Sequence, residues 1–572
     1  MLADVTLVNS VSNATMAITT TVATLDLTLD NIVGTVSVDD GLATTLKALN
    51  LTTTAEASEV DLQAGTIETL TIAAGSDLDV STNTLSAVKT VTITGTGDVA
   101  LGDISATATA LTSTTTGDIS ATVAGTATVT TGAGNDSITV DTTTVTKAIT
   151  LGAGNDTLNL NAFTTLNAST AAIAGGADTD TLVLSAATAA TISADSNVNA
   201  GYTLFKSKVT GFEQLEVTEA NTTINVSDDT TINLENLGFN YVITNGTEIN
   251  VDTDGAGADI AETDTLTLDK IANNGTVVLN AAGLVTVNVK DAELVASTTD
   301  VLNVITKVDA TNVDFGTLTA DKVETINITA TDSTPTNADG EATISKATLL
   351  LDAAAVKTVT VNGASDLTLD ITSTTVTKVD ASALTGNLVY IADGATAGTE
   401  VIGGAGNDTL TASGDSDILK GGAGNDVLVS DDYATLTGGT GADKFVASII
   451  ANKDALATIT DFKAAEGDSI EFTNADNFIS TAVATNSLSF EAALNKAIET
   501  AGANDVAWFQ FTSNSVTDTY LVYDGVANTT TFDATADMVI KVAGVVDFST
   551  ASFNSDSDTV AFINAVTIDN IA

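Results

Sequence analysis

The residues of this chain best placed to do chemistry are aspartates that follow closely spaced glycines at a nine-residue interval. Gly403-Gly404-Ala405-Gly406-Asn407-Asp408-Thr409-Leu410-Thr411 fits G-G-x-G-x-D-x-U-x at every position, U being a large apolar residue. A degenerate copy over residues 412–420 supplies Asp415 and Asp417. A second full copy is Gly421-Gly422-Ala423-Gly424-Asn425-Asp426-Val427-Leu428-Val429, and after a rung over residues 430–437 a third is Gly438-Gly439-Thr440-Gly441-Ala442-Asp443-Lys444-Phe445-Val446. Glycine allows positive φ and turns backbone carbonyls inward, while the aspartate supplies charge, so each turn offers hard oxygen donors. The chain has no Cys and no His, which removes disulfides, thiolate nucleophiles, Ser-His-Asp triads and His-ligated zinc. Oxygen donors alone suit calcium, and several ions are expected.

One nonad spans half a coil, so like turns two nonads apart stack on the same side. This spacing predicts that Gly404, Gly406 and Asp408 share an ion with Gly422, Gly424 and Asp426, and that the latter share again with Gly439, Gly441 and Asp443. The weak rung places Asp415 and Asp417 on the opposite side, with Asp431 or Asp432 beside them. An earlier cluster carries Gly132-Ala133-Gly134-Asn135-Asp136, Gly152-Ala153-Gly154-Asn155-Asp156 and Gly175-Gly176-Ala177-Asp178-Thr179-Asp180. Its wider spacing suggests one slightly enlarged full coil per copy, with Gly132, Gly134, Asp136, Gly152, Gly154, Asp156, Gly176, Asp178 and Asp180 as candidate ligands. Plain Asn-Asp turns without metal are the alternative for that cluster.

Such turns need strands to hold them, and the composition is that of strands. Hydrophobic residues make up 44% against 16% charged and 4% aromatic, so a core is feasible and it is aliphatic. Thr, Val and Ile suit a pleated surface, and the single proline, Pro335, leaves backbone pairing almost uninterrupted. Segments such as Thr90-Val91-Thr92-Ile93-Thr94 and Thr358-Val359-Thr360-Val361 alternate apolar residues with Thr, the period-2 signal. The expected fold is all-β: a parallel right-handed β-solenoid, or β-roll, with calcium-binding turns and a small C-terminal α+β cap. An array of β-sandwiches is the rival architecture. Residues 489–501 carry Phe490, Leu494 and Ile498 on one helical stripe, with Ser489 placed to cap and Gly502 to terminate. Trp508-Phe509-Gln510-Phe511 and Tyr520-Leu521-Val522-Tyr523 then read as a strand pair.

Internal repetition suggests four segments: a solenoid module over 1–200 with the first cluster, a central β region over 201–320, a second module over 321–460 with the nonads, and a cap over 461–572. Ile67-Glu68-Thr69-Leu70-Thr71-Ile72 and Val88-Lys89-Thr90-Val91-Thr92-Ile93 precede the first cluster. Val323-Glu324-Thr325-Ile326-Asn327-Ile328 and Val356-Lys357-Thr358-Val359-Thr360-Val361 precede the second. Phe212-Glu213-Gln214-Leu215-Glu216-Val217 is a third echo between them.

The charge balance, 73 acidic residues against 18 basic for a net charge of -55, argues against nucleic acid, the more so because every basic residue is Lys. No apolar run of about 18 residues marks a membrane span. The N-terminus lacks a basic region followed by an apolar one, so an export address is expected elsewhere in the chain.

The nonads resemble the RTX (repeats-in-toxin) family. That resemblance implies calcium-dependent β-rolls, export by the type I secretion machinery and an uncleaved C-terminal signal within 461–572. Ile459-Thr460-Asp461-Phe462 and Gly467-Asp468-Ser469-Ile470-Glu471-Phe472 are similar to RTX termini, and the resemblance adds Asp461 and Asp468 to the candidate ligands. Trp508-Phe509-Gln510-Phe511, Asp518-Thr519-Tyr520-Leu521-Val522 and Asp537-Met538-Val539-Ile540-Lys541-Val542-Ala543-Gly544 look like the C-terminal region of Caulobacter-type surface-layer (S-layer) proteins. That likeness implies a self-assembling structural lattice on the surface of a Gram-negative bacterium, anchored through lipopolysaccharide or another surface partner, and no enzyme. That family carries an N-terminal anchoring region, whereas solenoid-like sequence begins almost at Met1 here, so either this chain is the lattice-forming part alone or anchoring works differently. A secreted RTX adhesin or filament subunit shares the same composition, and an RTX enzyme built on carboxylate pairs is the third class.

Overall fold

A computed structural model describes residues 3–39, 45–164, 170–193, 200–218, 230–233, 242–245, 265–279, 284–290, 292, 300–308, 312–332, 346–393, 398–411, 416–430, 433–447, 457–526, 530–533, 536–554 and 559–561. The chain divides into two compact units, Met1–Val277 and Val278–Ala572.

In the first unit the Thr/apolar alternation becomes two parallel ladders. One runs Thr24–Asp39, Ala48–Thr53, Thr69–Ala74, Thr90–Gly95, Ala110–Ser113, Thr128–Thr130, Ile149–Thr150, Ile173–Ala174 and Val209–Thr210. Its register stacks Leu49, Leu70, Val91, Leu111, Val129, Ile149 and Ile173 in one buried column. The second ladder, from Ser58–Gln63 through Val99–Asp103, Ile119–Val123, Ser137–Val140, Thr157–Asn159 and Thr181–Ser185 to Gln214–Thr218, stacks Ile138, Leu158, Leu182 and Leu215. No rung can bury its apolar edge alone; each is completed by the rungs before and after it, which makes this a parallel β-solenoid. Among the described residues one coil departs from the pattern. Between Thr181–Ser185 and Val209–Thr210 the chain makes an excursion containing two helices, Ala186–Ser193 and Ala200–Lys208. The first is Ala- and Thr-rich and carries no apolar stripe of helical period, so nothing in its pattern announces it.

The second unit repeats the design. Val301–Val308, Thr325–Asp332, Thr358–Gly363, Lys378–Leu384, Glu400–Ile402, Ile418–Ala423, Thr435–Thr440 and Ala457–Ile459 form one parallel ladder. The facing ladder aligns Leu349, Leu369, Tyr390, Leu410, Leu428, Phe445 and Ile470 in a column that is almost wholly buried.

The cap forms as its pattern indicates. The helix Phe490–Ala501 starts where the Ser489 side chain accepts a hydrogen bond from the Ala492 N–H and ends at Gly502, whose φ is 83°. Its buried residues, Ala493, Leu494, Ala497 and Ile498, share a core with Ala507, Phe509 and Val522. Asp505–Ser513 and Val516–Tyr523 pair antiparallel, and Val516–Tyr523 pairs again with Met538–Val542. Met538–Val542 also lies parallel to Ala457–Ile459, so the cap sheet is bonded directly to a terminal solenoid rung and covers its open edge. No helix among the described residues is long and apolar enough to cross a membrane.

Candidate calcium centre

Two columns of aspartate run along the turns, one in each unit, and each is tied together by backbone hydrogen bonds. In the second unit Asp408 Oδ1 accepts from the Leu388 N–H at 2.7 Å, Asp426 Oδ1 from Asp408 N–H at 2.8 Å, Asp443 Oδ1 from Asp426 N–H at 3.0 Å and Asp468 Oδ1 from Asp443 N–H at 3.1 Å. In the first unit Asp136 accepts from Ile119 at 2.8 Å, Asp156 from Asp136 at 2.7 Å and Asp180 from Asp156 at 2.9 Å. Each aspartate therefore spends one oxygen on the rung before it. Strand register dictates this: the U residue two positions on points into the core, as Leu410, Leu428 and Phe445 do, and this holds the aspartate at the coil corner.

The other oxygen is the informative one. Oδ2 of Asp136, Asp156, Asp180 and Asp426 is buried and has no hydrogen-bond partner, although these residues are at most 1% exposed. A buried carboxylate oxygen left unpaired is costly, and here it recurs at equivalent positions in both units. A carbonyl oxygen of the next rung converges on the same turn. A Cβ built on Gly421 would lie 2.2 Å from Asp426 Oδ2 and 2.6 Å from the Gly438 carbonyl oxygen. On Gly403 it would lie 2.3 Å from both Asp408 Oδ2 and the Gly421 carbonyl oxygen. These glycines are needed to leave room for two converging oxygens. Gly422 and Gly424, with φ of 119° and 118°, are needed for their backbone conformation instead.

Burial pushes the carboxyl groups upward: Asp408 to about 6, Asp426 and Asp156 to about 7, with Asp136, Asp180 and Asp443 also raised. The like charges of Asp408 and Asp443 add to the effect at Asp426, and those of Asp136 and Asp180 at Asp156. Asp408 Oδ2 does accept from the Gly404 N–H at 2.6 Å, but desolvated carboxylates stacked on one another beside turn carbonyl oxygens fit a hard divalent cation of calcium type.

The glycines stack as their spacing predicts. Gly404, Gly422 and Gly439 form one column and Gly406, Gly424 and Gly441 another; Gly132, Gly152 and Gly176 form one and Gly134 and Gly154 another. Asp417 is buried on the other ladder, where it accepts from the Thr399 N–H at 2.6 Å. Asp415, Asp431 and Asp432 lie outside the described residues. Asp178 is exposed and accepts from the Gly154 N–H. Asp461 turns both oxygens to the backbone, accepting from Gly438 and Gly439 at 2.9 Å each, and Asp468 accepts from Lys463 N–H as well as Asp443.

A second, outward ladder went unread in the sequence. Asp98 accepts from Asp118 N–H, Asp118 from Asn135, Asn135 from Asn155; likewise Asp366 from Asn387, Asn387 from Asn407 and Asn407 from Asn425. Its signal is an Asp or Asn just after a small turn residue, once per coil: Gly97-Asp98, Gly117-Asp118, Gly134-Asn135, and Ser365-Asp366, Gly386-Asn387, Gly406-Asn407. The device satisfies turn N–H groups that no strand reaches.

A search of curated proteins finds no match. Residues 395–432 match the family model of the RTX calcium-binding nonapeptide repeat (4 copies). The stacked turns within residues 395–432 are thus calcium-binding repeats of RTX type, set in a parallel β-solenoid.

Proposed function

We propose that the chain is a secreted structural subunit of a calcium-dependent surface layer, in which Asp136, Asp156, Asp180, Asp408, Asp426 and Asp443 with their turn carbonyls hold the ions. The observation that carries the calcium dependence is the set of buried, unpartnered Oδ2 atoms repeated in both units. Without a cation the turns accumulate uncompensated charge, so folding is coupled to the calcium supply outside the cell, in keeping with the weak affinities of extracellular calcium modules. Lattice formation rests on the likeness of residues 320–572 to S-layer sequences. On the same likeness the chain leaves by type I secretion, meets other copies of itself, and is held at the surface by lipopolysaccharide or another anchor.

Circular dichroism and electron microscopy of the purified chain, with calcium and with chelator, test this. The expected outcome is ordered sheets only with calcium, and β structure that melts at a clearly lower temperature in chelator. Calcium-dependent folding into single particles that adhere to glycan would favour the adhesin reading. Folding that ignores calcium would overturn the proposal at its base.

A further inference from the structure

The first unit's aspartate column does not end where its recognisable turns end. Above Asp180 the chain makes the helical excursion and returns at Val209–Thr210, with Gly211, Phe212 and Glu213 following. Nothing in Thr210-Gly211-Phe212-Glu213 reads as a nonad. Its geometry nevertheless reproduces one. The Gly175 N–H donates to the Thr210 carbonyl at 3.0 Å, as the Gly403 N–H donates to the Lys420 carbonyl at 2.8 Å in the matched repeats. Gly211 is therefore to Gly175 what Gly421 is to Gly403. A Cβ on Gly175 would lie 1.9 Å from the Gly211 carbonyl oxygen and 2.7 Å from Asp180 Oδ2, the same convergence seen at Gly403 and Gly421. Asp180 is fully buried and its Oδ2 has no partner. Glu213 Oε2 accepts from the Asp180 N–H at 3.0 Å, the place an aspartate takes in the other rungs of the two columns.

The end of the second column shows what a closed column looks like. There Asp468 Oδ1 accepts from the Asp443 N–H at 3.1 Å, and the Lys463 ammonium donates to the carbonyl of Gly439, in the adjacent glycine column, at 2.5 Å, so a built-in cation stands beside the last rung. The first column also ends on a carboxylate, Glu213, and there the Gly211 carbonyl oxygen and Asp180 Oδ2 converge on Gly175.

We propose that Asp180 Oδ2, the Gly211 carbonyl and the Glu213 carboxylate form a further divalent-cation site, with calcium as its ion, on a turn that lacks the repeat motif. This rests on the reading of the nonads as calcium turns. The helical excursion is then an insertion between two halves of one ion site, and calcium ties its ends together.

Calcium titration by calorimetry and ion counting by native mass spectrometry on the full chain test the site, using E213Q and E213K. Gln keeps an oxygen to accept from Asp180 N–H, so E213Q is expected to fold with calcium and to hold one ion fewer than the parent. E213K places an ammonium beside the Asp180 carboxylate, and is expected to lose the same ion while melting higher than E213Q in chelator. Unchanged ion count and affinity in E213Q would overturn the site while leaving the nonad reading intact. A parent chain that takes up no calcium would overturn both.

Discussion

At the scale of the residue, the aspartate column is a proton store as well as an ion site. In the folded, calcium-free chain Asp156 and Asp426 titrate at about 7 and Asp408 at about 6, whereas an unfolded aspartate titrates near 3.9. The folded state thus binds more protons across this window. The stability these groups contribute is complete below pH ~4 and is lost as pH rises through 6 to 7. Each pKa unit corresponds to about 1.4 kcal/mol. Scanning calorimetry in calcium-free buffer should therefore give a higher melting temperature at pH 5 than at pH 8. Saturating calcium should reverse the order, because the ion needs the ionised carboxylates. Equal melting temperatures at the two pH values without calcium would show that the buried carboxyls are not the seat of the effect.

At the scale of the element, the turn and the strand it joins make separate demands on sequence. The strand demands alternation, and Leu419, Leu428 and Phe445 satisfy it by stacking in the core. The turn demands empty space at its first glycine. Gly421→Ala places a methyl 2.2 Å from Asp426 Oδ2, and overpacking of this kind costs about 1–3 kcal/mol. Calcium titration of G421A should show weakened uptake in the second unit, with the solenoid still folded at high calcium. Gly65→Ala is the control: its nearest neighbour would be Ser86 Oγ at 3.4 Å, and it should leave both stability and calcium uptake unchanged. Uptake in G421A matching that of the parent would remove the converging oxygens from the ion site.

At the scale of the whole molecule, the net charge of -55 has two components that respond differently to salt. Exposed carboxylates repel through water, and about 1 M salt shortens that repulsion to roughly 3 Å. Some are already offset by stacked lysines, as where Glu68 lies between Lys47 and Lys89. The buried column is beyond the reach of such screening. Molar NaCl should raise the calcium-free melting temperature only modestly, while millimolar calcium should raise it well beyond that. Full replacement of calcium by NaCl would mean that general screening, not the buried turns, governs stability.

What was legible beforehand follows from periodicity. Alternation and the spacing of Gly and Asp are local properties, so the parallel rungs, the stacking of residues 403–446 and the Ser489-capped helix could be read from the chain alone. Hydrogen bonds between rungs are not local. That Asp156 and Asp426 each keep one oxygen for the neighbouring backbone and leave the other unpaired depends on where the next coil lies. The likeness of Gly211 to Gly421 was invisible for the same reason. Its partner Gly175 lies across two helices in the chain, and only the parallel register, which is indifferent to the length of an excursion, sets them one above the other.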